Sequence, residues 1–127
     1  MLYRKKEEPK LSEELFQNPT SEYRGTPFWA WNCKVTEEQI DFQTEALKEM
    51  GMGGAHIHCR TGMNIPYMSE EFLGRVAYAH EKLKEKQMLT WLYDEDRWPS
   101  GYGGGYVTKD SRYRMRFLVF SPEEMNM

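Results

Sequence analysis

Residues 53–60 read GGAHIHCR, a short run that begins with two glycines and in which apolar and polar side chains alternate. Successive side chains of an extended chain point to opposite sides, which separates two sets: Ala55, Ile57 and Cys59 on one side, and His56, His58 and Arg60 on the other. The alternation predicts a β-strand over residues 53–59 with one face directed into a core. The segments before and after this strand determine what it packs against.

A helix is predicted on each side of this strand. Thr36 and Gln39 have the spacing of a capping box, and Gly51 suits the left-handed position after a helix, so residues 37–50 are predicted to be helical. The apolar face of this helix is predicted to contain Ile40, Leu47 and Met50, flanked by Phe42 and Ala46. Ser69 predicts the start of a second helix, whose buried positions are expected at Phe72, Leu73, Val76, Ala77, His80 and Leu83.

Two further strands complete the pattern. Residues 27–32, PFWAWN, form a short apolar run, and residues 89–93, LTWLY, form another that ends in Asp94, Glu95 and Asp96. Residues 112–120 fit either a strand or a short helix capped by Thr108 or Asp110, and both alternatives stay open. The order β-α-β-α-β predicts an α/β fold with parallel strands, and both an open doubly wound sheet and a closed (β/α) barrel satisfy it.

Length and composition limit the classes of protein to consider. The chain has 127 residues, which suits one domain but falls short of the roughly 250 residues of a complete eight-stranded barrel. A net charge of −3 and the lack of a dense basic stripe argue against nucleic acid as a partner. Cys33 and Cys59 do not make a disulfide framework. With neither a signal-peptide pattern nor a long apolar run, we expect a cytoplasmic protein and no membrane partner.

Polar and aromatic residues follow the predicted ends of all three strands. They are Trp31 and Asn32 in the first, His58 and Arg60 in the second, and Tyr93, Asp94 and Glu95 in the third. Because the carboxyl ends of parallel strands meet at one edge of a sheet, we expect these side chains to share a cavity. The adjacent carboxylates suit acid–base chemistry, sugar hydroxyls or a hard cation such as Ca²⁺, and Trp98 suits stacking on a sugar ring.

Other motifs give weaker signals. His56 and His58 share one side of a strand, but Cys59 faces away and no third ligand is evident, so no metal site is predicted and His56 is interpreted as an interior histidine. Residues 101–106 lack the complete glycine pattern of a phosphate loop and are interpreted as a flexible rim loop. No cofactor is expected, with Ca²⁺ retained only for a complete protein.

Three segments together resemble the start of large bacterial glycoside hydrolases of the α-L-rhamnosidase type (family 106). They are residues 27–32, residues 53–62 and residues 91–101, the last reading WLYDEDRWPSG. The resemblance spans about residues 13–110. Residues 1–26 are charged and turn-rich, and are predicted to form an extended lead-in with a helical turn at residues 12–16. The resemblance implies that a partial (β/α)8 TIM barrel follows. Residues 27–127 would be the N-terminal part of this truncated catalytic domain.

The resemblance also implies a reaction and a set of binding residues. It implies hydrolysis of an O-glycosidic bond by paired carboxylates, with the acid and base on later strands, so the catalytic residues stay unknown and the chain alone is expected to be inactive. It assigns a substrate-binding role to Trp31, Asn32, His58, Arg60, Tyr93, Asp94 and Glu95. Gln87 stands where this family is expected to end a helix with glycine, which requires a positive φ.

Two other hypotheses stay open. One is a non-catalytic carbohydrate-binding remnant, and the other is a small doubly wound domain that binds a nucleotide or a partner. Three strands cannot close a barrel, so we expect the missing barrel half, or self-association, to cover the sheet edges.

Overall fold

A parallel sheet of three strands in the order β1-β2-β3 organises the computed structural model, which describes residues 10, 12–98, 100–101 and 103–121. The strands are β1 (Phe28–Trp31), β2 (Gly54–Cys59) and β3 (Leu89–Asp96), and the helices are α1 (Glu13–Gln17), α2 (Glu37–Glu49) and α3 (Glu70–Glu85). Short 3₁₀ helices lie at Ser21–Tyr23, Gly103–Gly105 and Ser111–Tyr113. The predicted α/β class and the order of its elements are confirmed. Residues 1–9 and 11 of the predicted lead-in, Pro99, Tyr102 and residues 122–127 lie outside the described residues.

The helix boundaries follow the local signals in the sequence. The Thr36 hydroxyl accepts a hydrogen bond from the Gln39 amide, and the Gln39 side chain accepts one from the Thr36 amide, so the capping box is present. Ser69 caps α3 by accepting from the Phe72 amide. Gly51 follows α2 with φ of +75°, and Gln87 has φ of +60°, as the pattern after α3 required.

Both long helices cover the same face of the sheet. Trp29 and Trp31 on β1 and Ile57 on β2 are buried in one cluster with Ile40 of α2 and with Phe72, Ala79 and Leu83 of α3. The Trp31 and Phe72 rings lie 6.1 Å apart at 79°, an edge-to-face contact. The Trp29 indole N–H donates to the Gln43 side chain at 2.7 Å. The core of the described residues therefore lies between the sheet and these two helices.

Several helix positions differ from the predicted faces. Phe42 and Met50 on the α2 side are 74% and 66% exposed, whereas Thr44 is buried beside Ile40. Phe42 lies about 200° around the helix from Ile40, so it points to solvent when Ile40 points to the sheet. On α3 the buried residues are Phe72, Ala79 and Leu83, and the predicted positions Leu73, Ala77 and His80 are exposed. The predicted faces were too wide, because the sheet covers only a narrow stripe of each helix.

Strand β3 contains an irregularity in its pairing with β2. Ile57 pairs with Leu92, but Cys59 pairs with Asp96, so β3 carries two more residues than β2 over this stretch. Such a bulge bends a strand, and because the extra residues are even in number, side chains on either side of it keep the same alternation. Beyond β3, Asp110 caps the 3₁₀ helix Ser111–Tyr113 by accepting from the Arg112 amide. Residues 115–120 have no described strand partner, so the strand alternative for residues 112–120 is wrong.

Within the described part of the chain, none of the helices has the length and apolar character needed to cross a membrane.

Candidate functional site

Within the described residues, one face of the sheet carries no helix, and we call it the helix-free face. The register of the three strands aligns Phe28 with His56 and Ala30 with His58, and His56 with Trp91. Alternation places Phe28, Ala30, His56, His58, Trp91 and Tyr93 on this face, opposite the residues that pack on the helices. Phe28 and Tyr93 remain 53% and 42% exposed. The face is therefore an aromatic surface that a ligand can reach.

His58 lies at the centre of the helix-free face. Its imidazole is 4.7 Å from the Phe28 ring and 4.5 Å from the Tyr93 ring, measured between ring centroids. Although the two flanking rings are partly exposed, His58 itself is only 3% exposed. A polar side chain is thus held between two aromatic rings at the base of the surface.

Charged residues surround the His58 ring on the side of the strand ends. The His58 Nε2 atom lies 3.9 Å from a carboxylate oxygen of Glu95. The Arg60 guanidinium lies 6.0 Å from the centre of the Phe28 ring. Burial, followed by the positive charge of Arg60, lowers the pKa of His58, and Glu95 opposes this shift. His58 is therefore neutral at physiological pH.

The second ring nitrogen of His58 is unsatisfied within the described residues. The buried Nδ1 atom has no hydrogen-bond partner there, and most buried polar side-chain atoms do have one. A neutral imidazole offers one N–H donor and one acceptor nitrogen. His58 thus has unused hydrogen-bonding capacity that suits a hydroxyl group, although its Nδ1 atom is covered, so a ligand reaches it only if the neighbouring rings move.

A stacked pair of rings extends the helix-free face toward the start of the strands. The His56 and Trp91 rings lie 4.6 Å apart and are nearly parallel, at 9°. His56 was interpreted as an interior histidine, but it is only half-buried, and the Trp91 ring covers one of its sides. The two histidines therefore have different surroundings, although they share one face of β2.

The predicted binding residues fall into separate groups. His58, Arg60, Tyr93 and Glu95 come together around the helix-free face. Asn32 is exposed just after β1. Trp98 is 74% exposed in the loop after β3.

Trp31 lies on the other side of the sheet from the expected cavity. Its ring packs against Phe72 of α3, and the residue is 2% exposed. The expectation that Trp31 contacts a ligand beside His58 is corrected here: alternation places it with Trp29 in the core. The predicted strand was treated as buried on both faces, whereas only one face is covered.

Asp94 is also separated from His58. Tyr93 and Glu95 on either side of it contact His58, so the Asp94 side chain points to the opposite side of β3. Asp94 itself is exposed. The cavity expected to join Asn32, His58 and Asp94 is therefore not formed with Asp94 in it.

The last carboxylate of β3 is structural. Asp96 is 2% exposed and forms an ion pair with Arg97 at 3.0 Å. Burial, together with the charge of Asp96, raises the pKa of the neighbouring Cys59 thiol to about 12. Cys59 therefore stays a protonated core residue, as its predicted position indicated.

Phe28 and Trp91 are the residues of this face that the sequence analysis did not single out. The signal was present, because Phe28 alternates with the buried Trp29 and Trp31. An apolar residue on the same side as two histidines and an arginine indicates a mixed surface rather than a core. Among the residues that the structure describes, no three His, Cys, Asp or Glu side chains are grouped as a metal site would require.

Comparison of the chain with protein-family models and with curated proteins gives no match.

The low pKa of His58 predicts a pH-dependent stability. The ordinary pKa is 6.5 and the folded value lies below it, so the unfolded chain takes up this proton first as the pH falls. The stability that neutral His58 contributes is complete above about pH 6.5 and is lost as the pH falls toward the folded pKa. Urea unfolding at about pH 7.5 and about pH 5.5 measures this loss of unfolding free energy.

His58→Gln is expected to reduce the loss between these two pH values, because it removes the buried titrating group. His80→Gln is the matched control, since His80 is exposed on α3. If the free energy of unfolding changed with pH equally in the wild-type chain and in His58→Gln, His58 would not be the titrating group responsible.

Proposed function

We propose that this chain is the N-terminal part of a (β/α)-barrel glycoside hydrolase of the α-L-rhamnosidase type, and that its helix-free face forms part of the sugar-binding pocket. The observation that carries the proposal is the buried His58, held between the exposed edges of Phe28 and Tyr93 with an unsatisfied ring nitrogen. The proposal also rests on the sequence resemblance of residues 27–32, 53–62 and 91–101.

The arrangement of layers supports a barrel origin. In a (β/α)8 barrel, consecutive strands are neighbours, the helices lie outside and the other face of the sheet lines the interior. Here β1, β2 and β3 are neighbours in chain order, and α2 and α3 cover one face only. The helix-free face corresponds to the barrel interior in this proposal, and its far end lies at the carboxyl edge where barrel enzymes bind substrate.

The chemistry of the face suits a sugar. Ligand sites combine aromatic surface with a few placed polar groups. Phe28 and Tyr93 offer ring surface to the apolar side of a pyranose, and the neutral His58 both donates to and accepts from hydroxyl groups. Glu95 adds an acceptor, with its carboxylate 3.9 Å from His58.

The complete protein would hydrolyse O-glycosidic bonds. That reaction needs one carboxylic acid to protonate the leaving oxygen and a second carboxylate acting as base or nucleophile. Asp96 is buried and paired with Arg97, and Asp94 points away from His58, so neither is assigned such a role. Glu95 is a substrate-binding residue in this proposal, with the acid and base contributed by later strands.

Binding of a simple glycoside tests the proposal. Titration of the full chain with methyl α-L-rhamnopyranoside, followed by NMR, is expected to shift the signals of His58 and Tyr93 with a Kd in the range of about 1–10 mM, since one wall of a pocket supplies only about 3–4 kcal/mol. Glu95→Gln is expected to weaken this binding about threefold to tenfold, because it removes a charged acceptor beside His58.

Asp94→Asn is the matched control. It makes the same carboxylate-to-amide change one residue away, on the opposite side of β3, and is expected to leave the affinity within about twofold of wild type. The proposed pocket would be contradicted if the NMR signals that shift all came from residues away from the helix-free face. It would also be contradicted if Glu95→Gln and Asp94→Asn lost the same amount of affinity for the glycoside.

A further inference from the structure

A second cavity of about 600 Å³ lies beyond the end of β3, between the loop at Trp98 and residues 108–115. Its volume falls in the range of small-molecule sites. Among the described residues that line it, three are arginines and none is acidic. The lining residues that matter here are Arg97, Trp98, Arg112, Tyr113, Arg114 and Met115.

The three arginines differ in how their charge is balanced. Arg97 pairs with Asp96 at 3.0 Å, and Arg112 pairs with Asp110 at 2.6 Å. Arg114 makes no ion pair with a carboxylate of the described chain, and instead donates to two backbone carbonyl oxygens. The cavity therefore has a net positive charge that is centred on Arg114.

The Arg114 guanidinium is also held in a defined orientation. Its Nε donates to the Thr108 carbonyl at 2.7 Å and one Nη donates to the Lys109 carbonyl at 3.4 Å. A guanidinium has five N–H donors arranged as a planar fork, so donors remain for a ligand. This fork matches the two oxygens of a carboxylate, and it also binds the oxygens of a sulfate ester.

Aromatic surface lies beside this charge. Trp98 is 74% exposed and Tyr113 is 63% exposed. The Arg112 guanidinium lies 5.6 Å from the centre of the Tyr113 ring, a weak cation–π contact at the cavity. Flat apolar rings next to an oriented cation suit a ligand that combines a ring with an anionic substituent.

We propose that this cavity is a subsite for an acidic sugar unit, in which Arg114 binds a carboxylate or sulfate oxygen while Trp98 or Tyr113 stacks on the sugar ring. The inference rests on the proposed sugar-binding function, and it adds that the oligosaccharide is anionic. The cavity starts at Arg97, two residues beyond Glu95 in the chain.

The experiment compares three trisaccharides on the full chain by NMR and calorimetry. Trigalacturonate carries carboxylates, a galactose trisaccharide of the same length is neutral, and its sulfated form carries sulfate esters. We expect at least one acidic trisaccharide to bind about tenfold or more tightly than the neutral one, with signals of residues 97–115 shifting. The tighter of the two acidic probes identifies the anion.

Arg114→Gln and Arg116→Gln form a matched pair. Both remove one positive charge from the same exposed segment, but only Arg114 lines the cavity. Arg114→Gln is expected to abolish most of the preference for the acidic probe, and Arg116→Gln to preserve it within about twofold. If both variants lost the same part of the preference for the acidic probe, the cause would be general electrostatic attraction and the proposal would be overturned. Equal affinity of the wild-type chain for acidic and neutral probes would overturn it too.

Sodium sulfate separates a sugar subsite from a simple anion site. If the free anion shifts residues 97–115 with the same affinity as the acidic trisaccharides, the sugar ring contributes nothing and the proposal is wrong. Failure here is distinct from failure of the proposed function, because methyl α-L-rhamnopyranoside carries no charge and reports on His58 and Tyr93 alone.

Discussion

Gly54→Ala is expected to lower the free energy of unfolding by at least about 3 kcal/mol, because overpacking against backbone cannot be relieved by a side-chain rotation. A Cβ atom at Gly54 would lie 2.1 Å from the Leu89 carbonyl oxygen and 2.8 Å from the Leu89 carbonyl carbon. Both atoms belong to the backbone of β3, so relief requires that β2 and β3 separate where they pair. Urea denaturation followed by circular dichroism measures the change.

Gly74→Ala is the matched control for this substitution. Gly74 lies inside α3, and no heavy atom lies within 4 Å of its built Cβ. The same change should therefore stabilise the chain by about 0.5–1 kcal/mol, since alanine favours a helix interior over glycine. The free energy of unfolding is therefore expected to fall in Gly54→Ala and to rise in Gly74→Ala. Destabilisation of similar size in both variants would refute the explanation by contact between β2 and β3.

Trp31→Ala is expected to lower the free energy of unfolding by about 3 kcal/mol or more, the lower part of the range for removing a large aromatic residue from a core. The Trp31 ring is buried against Trp29 and Phe72. Its indole nitrogen has no hydrogen-bond partner within the described residues, and loss of that unsatisfied group offsets part of the cost. Thermal and urea unfolding give the measurement.

Trp98→Ala should change the stability by no more than about 0.5 kcal/mol, as is usual for an exposed position. The sequence suggested a sugar-binding role for both Trp31 and Trp98, and these two substitutions test whether Trp31 belongs to the core instead. If Trp31→Ala left the stability unchanged while it weakened the binding of methyl α-L-rhamnopyranoside, the assignment of Trp31 to the core would be wrong.

Local signals predicted the elements of the fold well. The capping box at Thr36 and Gln39, the cap at Ser69 and the left-handed Gly51 each depend on a few neighbouring atoms, and each is confirmed. The faces of the helices were less well predicted, because burial of Thr44 instead of Phe42 is set by the position of the sheet. Periodicity gives the direction of an apolar face but not its width.

The candidate site was predicted in part for a similar reason. Alternation within β2 placed His58 and Arg60 on one side, and the structure brings them together with Tyr93 and Glu95. The bulge between Leu92 and Asp96 depends on pairing with β2, and a single strand carries no signal for it. Sequence reasoning also grouped Asp94 with Glu95 because both follow the apolar part of β3, although consecutive residues of a strand point to opposite sides.

Because helices cover only one face of the sheet, the residues of each strand fall into two sets, one that packs in the core and one that faces outward. Trp29, Ile57 and their neighbours under the helices determine whether the chain folds, and the exposed Phe28 and Tyr93 on the other face contribute less to that outcome. Natural variation or directed evolution can therefore alter ligand preference at the second set with little loss of stability. A strand-by-strand library restricted to those positions would explore new specificities on an unchanged scaffold.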